Sequence, residues 1–293
     1  MGKLKKLFGG INLTWPKLII FAVIAGVYTA IMALLPITHD TSFADISISF
    51  ELWILFGVII IMNSKSAIDS ALKCFVFFLI SQPLVYLLQV PFSEQGFGLF
   101  RYYSYWFIWT VLTLPMGFIG YFMKKDKWWG LIILTPVLLL LGEHYLVFIQ
   151  ETVFSFPYHL LSCLFCFVTL LIYPICIFKN KKIKIAGTII SAVIILTTSV
   201  IGFANPITYN TYLSLSEEDV AIDDSCNIYL VDDKYGKVYL EDNYEDENGI
   251  KHYVINADFN HSGKTELIVE DANGNETKFD LVIKRDTYEL NEK

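Results

Sequence analysis

The sequence predicts an α-helical polytopic membrane protein with seven transmembrane helices, followed by a C-terminal all-β sandwich. Three observations lead there. Of 293 residues, 55% are hydrophobic and 17% are charged, which excludes a soluble, disordered or collagen-like chain. The apolar residues gather into long runs that stop at Ala204. Charge divides at the same place: residues 1–204 carry 14 Lys and Arg against 8 Asp and Glu, and residues 205–293 carry 8 against 21. The overall charge of -7 thus averages a basic half with a strongly acidic one.

A helix needs about 17 to 25 mostly apolar residues to cross the hydrocarbon core, where a helix can satisfy its own backbone hydrogen bonds. The runs are 18–35, 48–62, 71–90, 103–123, 128–149, 158–178 and 185–204, the second being the shortest. The first is too long for a signal-peptide core and has no A-x-A site, so residues 1–17 read as a cytoplasmic tail ahead of a permanent anchor. Ala22, Gly26 and Ala30 repeat at four-residue spacing, a face that admits a close neighbour, and Gly187 with Ser191 repeats it in the last run. Ser66 and Asp69 form an S-x-x-D helix start for the third.

Orientation follows from the connections. Lys3, Lys5, Lys6 and Lys17 precede the first run. Lys65 and Lys73, then Lys124, Lys125 and Lys127, then Lys179, Lys181, Lys182 and Lys184 fall at every second connection, and the alternate ones hold Arg101 alone. The excess of cations on cytoplasmic loops places the N-terminus inside the plasma membrane and the C-terminus outside. It also requires the short second run to cross. Tyr102, Tyr103, Tyr105, Trp106 and Trp109 mark one interface, and Trp128 and Trp129 the other. Lysine in such excess over arginine hints at an AT-rich bacterial genome.

Beyond Asn205 the pattern turns to short alternating stretches, at 211–216, 227–231, 237–240, 252–257, 265–269 and 278–283, which read as strands. Asn248-Gly249 and Asn273-Gly274 suit two-residue type I′ hairpins. The final stretch, KTELIVEDANGNETKFDLVIKRD, resembles the last two strands of bacterial immunoglobulin-like surface domains. That resemblance implies an Ig-like sandwich over 205–293 with an adhesion, spacing or recognition role. Cys226 is alone in this part and has no partner for an intramolecular disulfide. Cys163 and Cys166 have CxxC spacing inside an apolar run, where packing is the natural role.

Ionisable groups within spans are expensive and mark candidate sites. Glu143 and His144 in the fifth run and His159 at the start of the sixth, with Gln82 and Gln89 of the third, form a candidate outer polar pocket; the alternative is a hydrogen-bonded packing cluster. Glu51 reads as an interfacial carboxylate. Asp232, Asp233, Asp242 and Asp246 are weak calcium candidates by their oxygen chemistry, without EF-hand spacing. Neither H-E-x-x-H nor a phosphate-cradling glycine loop is present, so no catalytic residue, cofactor or nucleic-acid partner is expected. The expected function is display of an acidic extracellular Ig-like domain for recognition or assembly, with an extracellular protein or cell-wall polymer as partner. The alternatives are a transporter or small-molecule-binding subunit, or a membrane enzyme acting on lipid or cell-wall precursors.

Overall fold

The computed structural model describes residues 2–215, 222–245 and 251–292, and their side chains except at 2, 3, 242–245, 251 and 252. Its helices are α1 (Gly2–Leu7), α2 (Trp15–Leu34), α3 (Ser42–Ile48), α4 (Phe50–Met62), α5 (Ala67–Gln89), α6 (Phe100–Gly120), α7 (Trp128–Phe154), α8 (Leu160–Ile177) and α9 (Lys181–Ala204). The strands are β1 (Tyr209–Leu213), β2 (Asn227–Leu230), β3 (Gly236–Glu245), β4 (Lys251–Phe259), β5 (Gly263–Glu270), β6 (Glu276–Ile283) and β7 (Tyr288–Glu292). The chain forms two compact units, Met1–Phe148 with Tyr158–Ile201, and Ile149–Pro157 with Gly202–Lys293.

Among the described residues six helices, α2 and α5 to α9, are long and apolar enough to cross a membrane, so the chain is a multi-pass membrane protein. The second apolar run, 48–62, falls almost wholly on α4. A further short helix, α3, precedes it at a bend of 47° at Ser49, whose backbone is extended and whose N–H donates to the Asp45 carbonyl. The 13 residues of α4 rise about 20 Å, short of a hydrocarbon core of about 30 Å, so only the pair together has the length of a span.

Local chemistry sets the helix ends. Pro16 sits in the first turn of α2, where its missing N–H costs nothing. Ser66 Oγ accepts from the Asp69 N–H at 3.1 Å, and Asp69 Oδ2 accepts from the Lys65 N–H at 2.8 Å, starting α5. The small-residue faces do pack. A Cβ on Gly26 would lie 2.8 Å from the Ser81 carbonyl oxygen, so α2 and α5 approach backbone to backbone. Ser191 Oγ donates to the Leu170 carbonyl at 2.8 Å and ties α9 to α8.

In the second unit the strands form two antiparallel sheets, ordered β1-β4-β3 and β2-β5-β6-β7. Alternate residues point inward: Ile255, Ala257 and Phe259 of one sheet share a core with Leu267, Phe279 and Leu281 of the other. The turn at Asn273-Gly274 is not type I′, because only Gly274 has a positive φ, +82°. Gly274 N–H donates to the Asp271 carbonyl and Asp271 N–H to the Asn275 carbonyl, both at 3.0 Å, the pattern of a three-residue loop with a glycine bulge. The Asp271 carboxylate fixes it by accepting from the N–H groups of Asn273 and Asn275 at 2.8 and 2.9 Å. Asn248-Gly249 lies outside the described residues.

The fifth run extends further than its hydropathy suggests. α7 has 27 residues, about 40 Å, and its last turns belong to the second unit. Phe154 is buried in the core of the two sheets. Ser262 N–H donates to the Phe154 carbonyl at 2.8 Å, the His261 ring meets the Val153 carbonyl at 3.1 Å, and Arg285 pairs with the buried Glu151 at 2.5 Å. Gln150 to Phe154 are polar enough to read as loop, but these contacts hold them helical.

Two outcomes are expected. Phe154→Ala removes an aromatic side chain from the sheet core and should destabilise the second unit by about 3 to 5 kcal/mol in denaturant unfolding. The Asp271 carboxyl is held below its ordinary range, first by its bond to the Asn275 side chain and then by backbone N–H groups. Its contribution is therefore complete above the unfolded value of about 3.9 and is lost as pH falls through the lower folded value. Asp271→Ala should flatten that acid limb in a pH series of melting temperatures.

Candidate functional site

The break at Ser49 places two acids on separate short helices. Asp45 lies in α3 and Glu51 in the first turn of α4, and each meets a histidine from another span. Glu51, 1% exposed, accepts from the Ser49 hydroxyl and pairs with His144 Nδ1 of α7. His144 Nε2 faces the Glu143 carboxylate at 3.5 Å, so a carboxylate stands at each ring nitrogen. Phe50 contributes an edge-on ring 6.0 Å from the imidazole.

The second group is equally ordered. Asp45 Oδ2 lies 2.8 Å from His159 Nδ1 and accepts from Ser162 Oγ at 2.8 Å. Ser42 adds a backbone clip: its N–H and hydroxyl both donate to the Tyr158 carbonyl at 2.8 Å, and its oxygen accepts from the Ser162 N–H at 3.1 Å. Ser42, His159 and Ser162 are all buried. Together these bonds fasten α3 to the start of α8. A charged group in an apolar interior is stable only when paired and hydrogen-bonded, and both carboxylates meet that condition.

The five residues expected to share one polar pocket are distributed differently. His144 and His159 bind different carboxylates. The Glu143 side chain is 63% exposed. Gln89 donates to the Val85 carbonyl of its own helix at 3.0 Å. Gln82 is buried and its amide nitrogen has no hydrogen-bond partner. Glu51, read from sequence as reaching water, is buried instead. Asp45, Ser42 and Ser162 are the residues the sequence did not single out; the only hint was a carboxylate six positions before Glu51 in the hydroxyl-rich stretch Ser42 to Ser49.

The same unit contains a cavity of about 360 Å³ between α4, α5, α6 and α7. None of those five polar residues lines it. In the second unit, Asp232 caps the turn at Asp233–Tyr235, accepting from the Lys234 N–H at 3.2 Å, and holds the Lys234 ammonium at 2.6 Å. The Lys234 side chain holds the Asp232 carboxyl below its ordinary range. Asp233 is in the same short turn; the Asp242 side chain and Asp246 lie outside the described residues.

Chemically, the two histidine–carboxylate groups can cross-link helices and hold a proton between fixed partners. Asp45→Ala removes the acceptor of the Ser162 hydroxyl and one partner of the His159 ring and should destabilise the helical unit by about 1 to 3 kcal/mol in detergent. Glu143→Gln, at an exposed carboxylate, should stay within about 0.5 kcal/mol of the parent protein. Compared with protein-family models, with curated proteins and with solved structures, the chain matches none.

Proposed function

We propose that this is a multi-pass plasma-membrane protein of a bacterium that presents its acidic C-terminal unit outside the cell for recognition or assembly, without enzymatic activity. In this reading α3 and α4 together make the second of seven crossings. The N-terminus and the lysine-rich connections then lie in the cytoplasm. The C-terminal unit is an Ig-like sandwich, a reading supported by the final hairpin and by two antiparallel sheets on a common core.

The observation that carries recognition is the outward face of the three-stranded sheet. Tyr212 of β1 and Tyr239 of β3 both stand in register with Asn256 of β4, and they are 61% and 47% exposed. Two strand spacings separate them by about 10 Å. Exposed tyrosines are costly to leave in water and are enriched where proteins meet partners, since each offers a flat apolar ring and a polar tip. Glu241 and Asp258 stand beside this row on the same strands, within a unit of strong negative charge that favours a cationic partner. An extracellular protein or an amine-bearing cell-wall polymer has the matching chemistry. Transport is less well supported, because the five candidate polar residues do not line the cavity.

Two measurements test this. A C-terminal epitope should be stained on intact cells and an N-terminal one only after permeabilisation; the reverse pattern sinks the orientation. Partner recovery after cross-linking of intact membranes should drop at least tenfold in the Tyr212→Ala, Tyr239→Ala double variant, and unchanged recovery would rule out this face as the recognition surface.

A further inference from the structure

We infer that the cavity between α4, α5, α6 and α7 is a binding site for the single apolar chain of an amphiphile whose head donates hydrogen bonds and carries no phosphate. The walls decide the chain. They hold no charged residue, and their only hydroxyl, Thr113, is already spent on the Thr110 carbonyl at 2.6 Å. The other polar groups of the lining are the indole N–H groups of Trp53, Trp106 and Trp109 and the Cys74 thiol, and so apolar a wall holds water poorly. Its volume of about 360 Å³ falls within the range of ligand pockets. Along α4 it runs from Phe50 to Ile61, a length of about 16 Å, so it is a slot suited to a chain.

Two further features identify how the slot is reached and where a head would lie. Met116 and Ile119 of α6 line the slot and are also 52% and 51% exposed. The opening therefore lies on the apolar surface that a spanning helix presents to lipid, and the occupant enters sideways from the bilayer. At the Phe50 end the next residue is Glu51, and on α7 the lining residue Leu140 is followed one turn later by His144 and Glu143. Both Glu51 oxygens are held by Ser49 and His144, which leaves the Glu143 carboxylate, 63% exposed, to accept hydrogen bonds from a hydroxyl or ammonium head and to repel a phosphate. Gly57 supplies the independent sign that space is reserved. A Cβ built there meets nothing within 4 Å, although the residue sits in the middle of a membrane helix and lines the slot.

The full chain in nanodiscs would be titrated with a brominated monoacylglycerol, reading quenching of tryptophan fluorescence. Trp53, Trp106 and Trp109 line the slot and report contact with bromine directly. The expected result is saturable quenching, an affinity at least tenfold weaker in Gly57→Leu, whose Cβ has open space and whose side chain would project into the slot, and an affinity at least tenfold weaker for the brominated lysophosphatidate of the same chain. Val137→Phe gives a second way to fill the slot. Quenching that does not saturate, or that is the same in both filled variants, overturns the site. Equal affinity for the phosphate-headed probe overturns the assignment of the head.

Discussion

The helical unit depends on neutralising two carboxylates carried by the bent helix pair α3 and α4. A backbone that turns extended at Ser49 leaves α4 only 13 residues long, and the break survives because both halves are anchored through their acids. Glu51 is held by His144 and Ser49, and Asp45 by His159 and Ser162. Without these partners each acid would face the cost of a charge in apolar surroundings, which exceeds what a few helix contacts return. The anchors also fix where α4 starts, and so where Phe50, Trp53 and Gly57 stand along the slot between α4 and α7. Packing of small residues does the rest. Gly26 lets α2 lie directly on α5, and Ser191 ties α9 to α8.

The second unit solves a different problem, that of a small all-β core in water. Its chain enters twice, at 149–157 and from 202 onward, and the first entry supplies Phe154 to the sheet core. Removing 149–157 would take away a buried ring, a carbonyl that accepts from Ser262 and the carboxylate that pairs with Arg285. A fragment beginning at Asn205 is therefore an incomplete unit. The outward face of the three-stranded sheet is free to keep its tyrosines exposed because its inward face, Ile255, Ala257 and Phe259, already fills the core.

Much of this was legible in the sequence, for reasons that are local. Long uncharged runs can only be helices in lipid, the S-x-x-D start at Ser66 is a contact across three residues, and Phe279, Leu281 and Ile283 announce a strand by period two. What escaped was set at long range. Glu51 and His144 are separated by 93 positions, Asp45 and His159 by 114, and nothing near either acid names its partner. Proximity along the chain instead suggested grouping Glu143 and His144 with His159. Asn273-Gly274 read as a two-residue turn because the dipeptide dominates such patterns, whereas the side chain of Asp271, two residues earlier, widened it. The end of α7 was missed because Phe154 is helical through contacts with β-unit residues more than a hundred positions later.

The most direct measurement is a double-mutant cycle on Glu51→Gln and His144→Gln, followed by unfolding of the full chain in detergent. If the buried pair holds α3 and α4 in place, each single variant leaves a stranded partner. The double variant should then recover stability, with a coupling of at least about 1 kcal/mol. Losses that simply add, within about 0.5 kcal/mol, would contradict the pair as the constraint on which this unit depends.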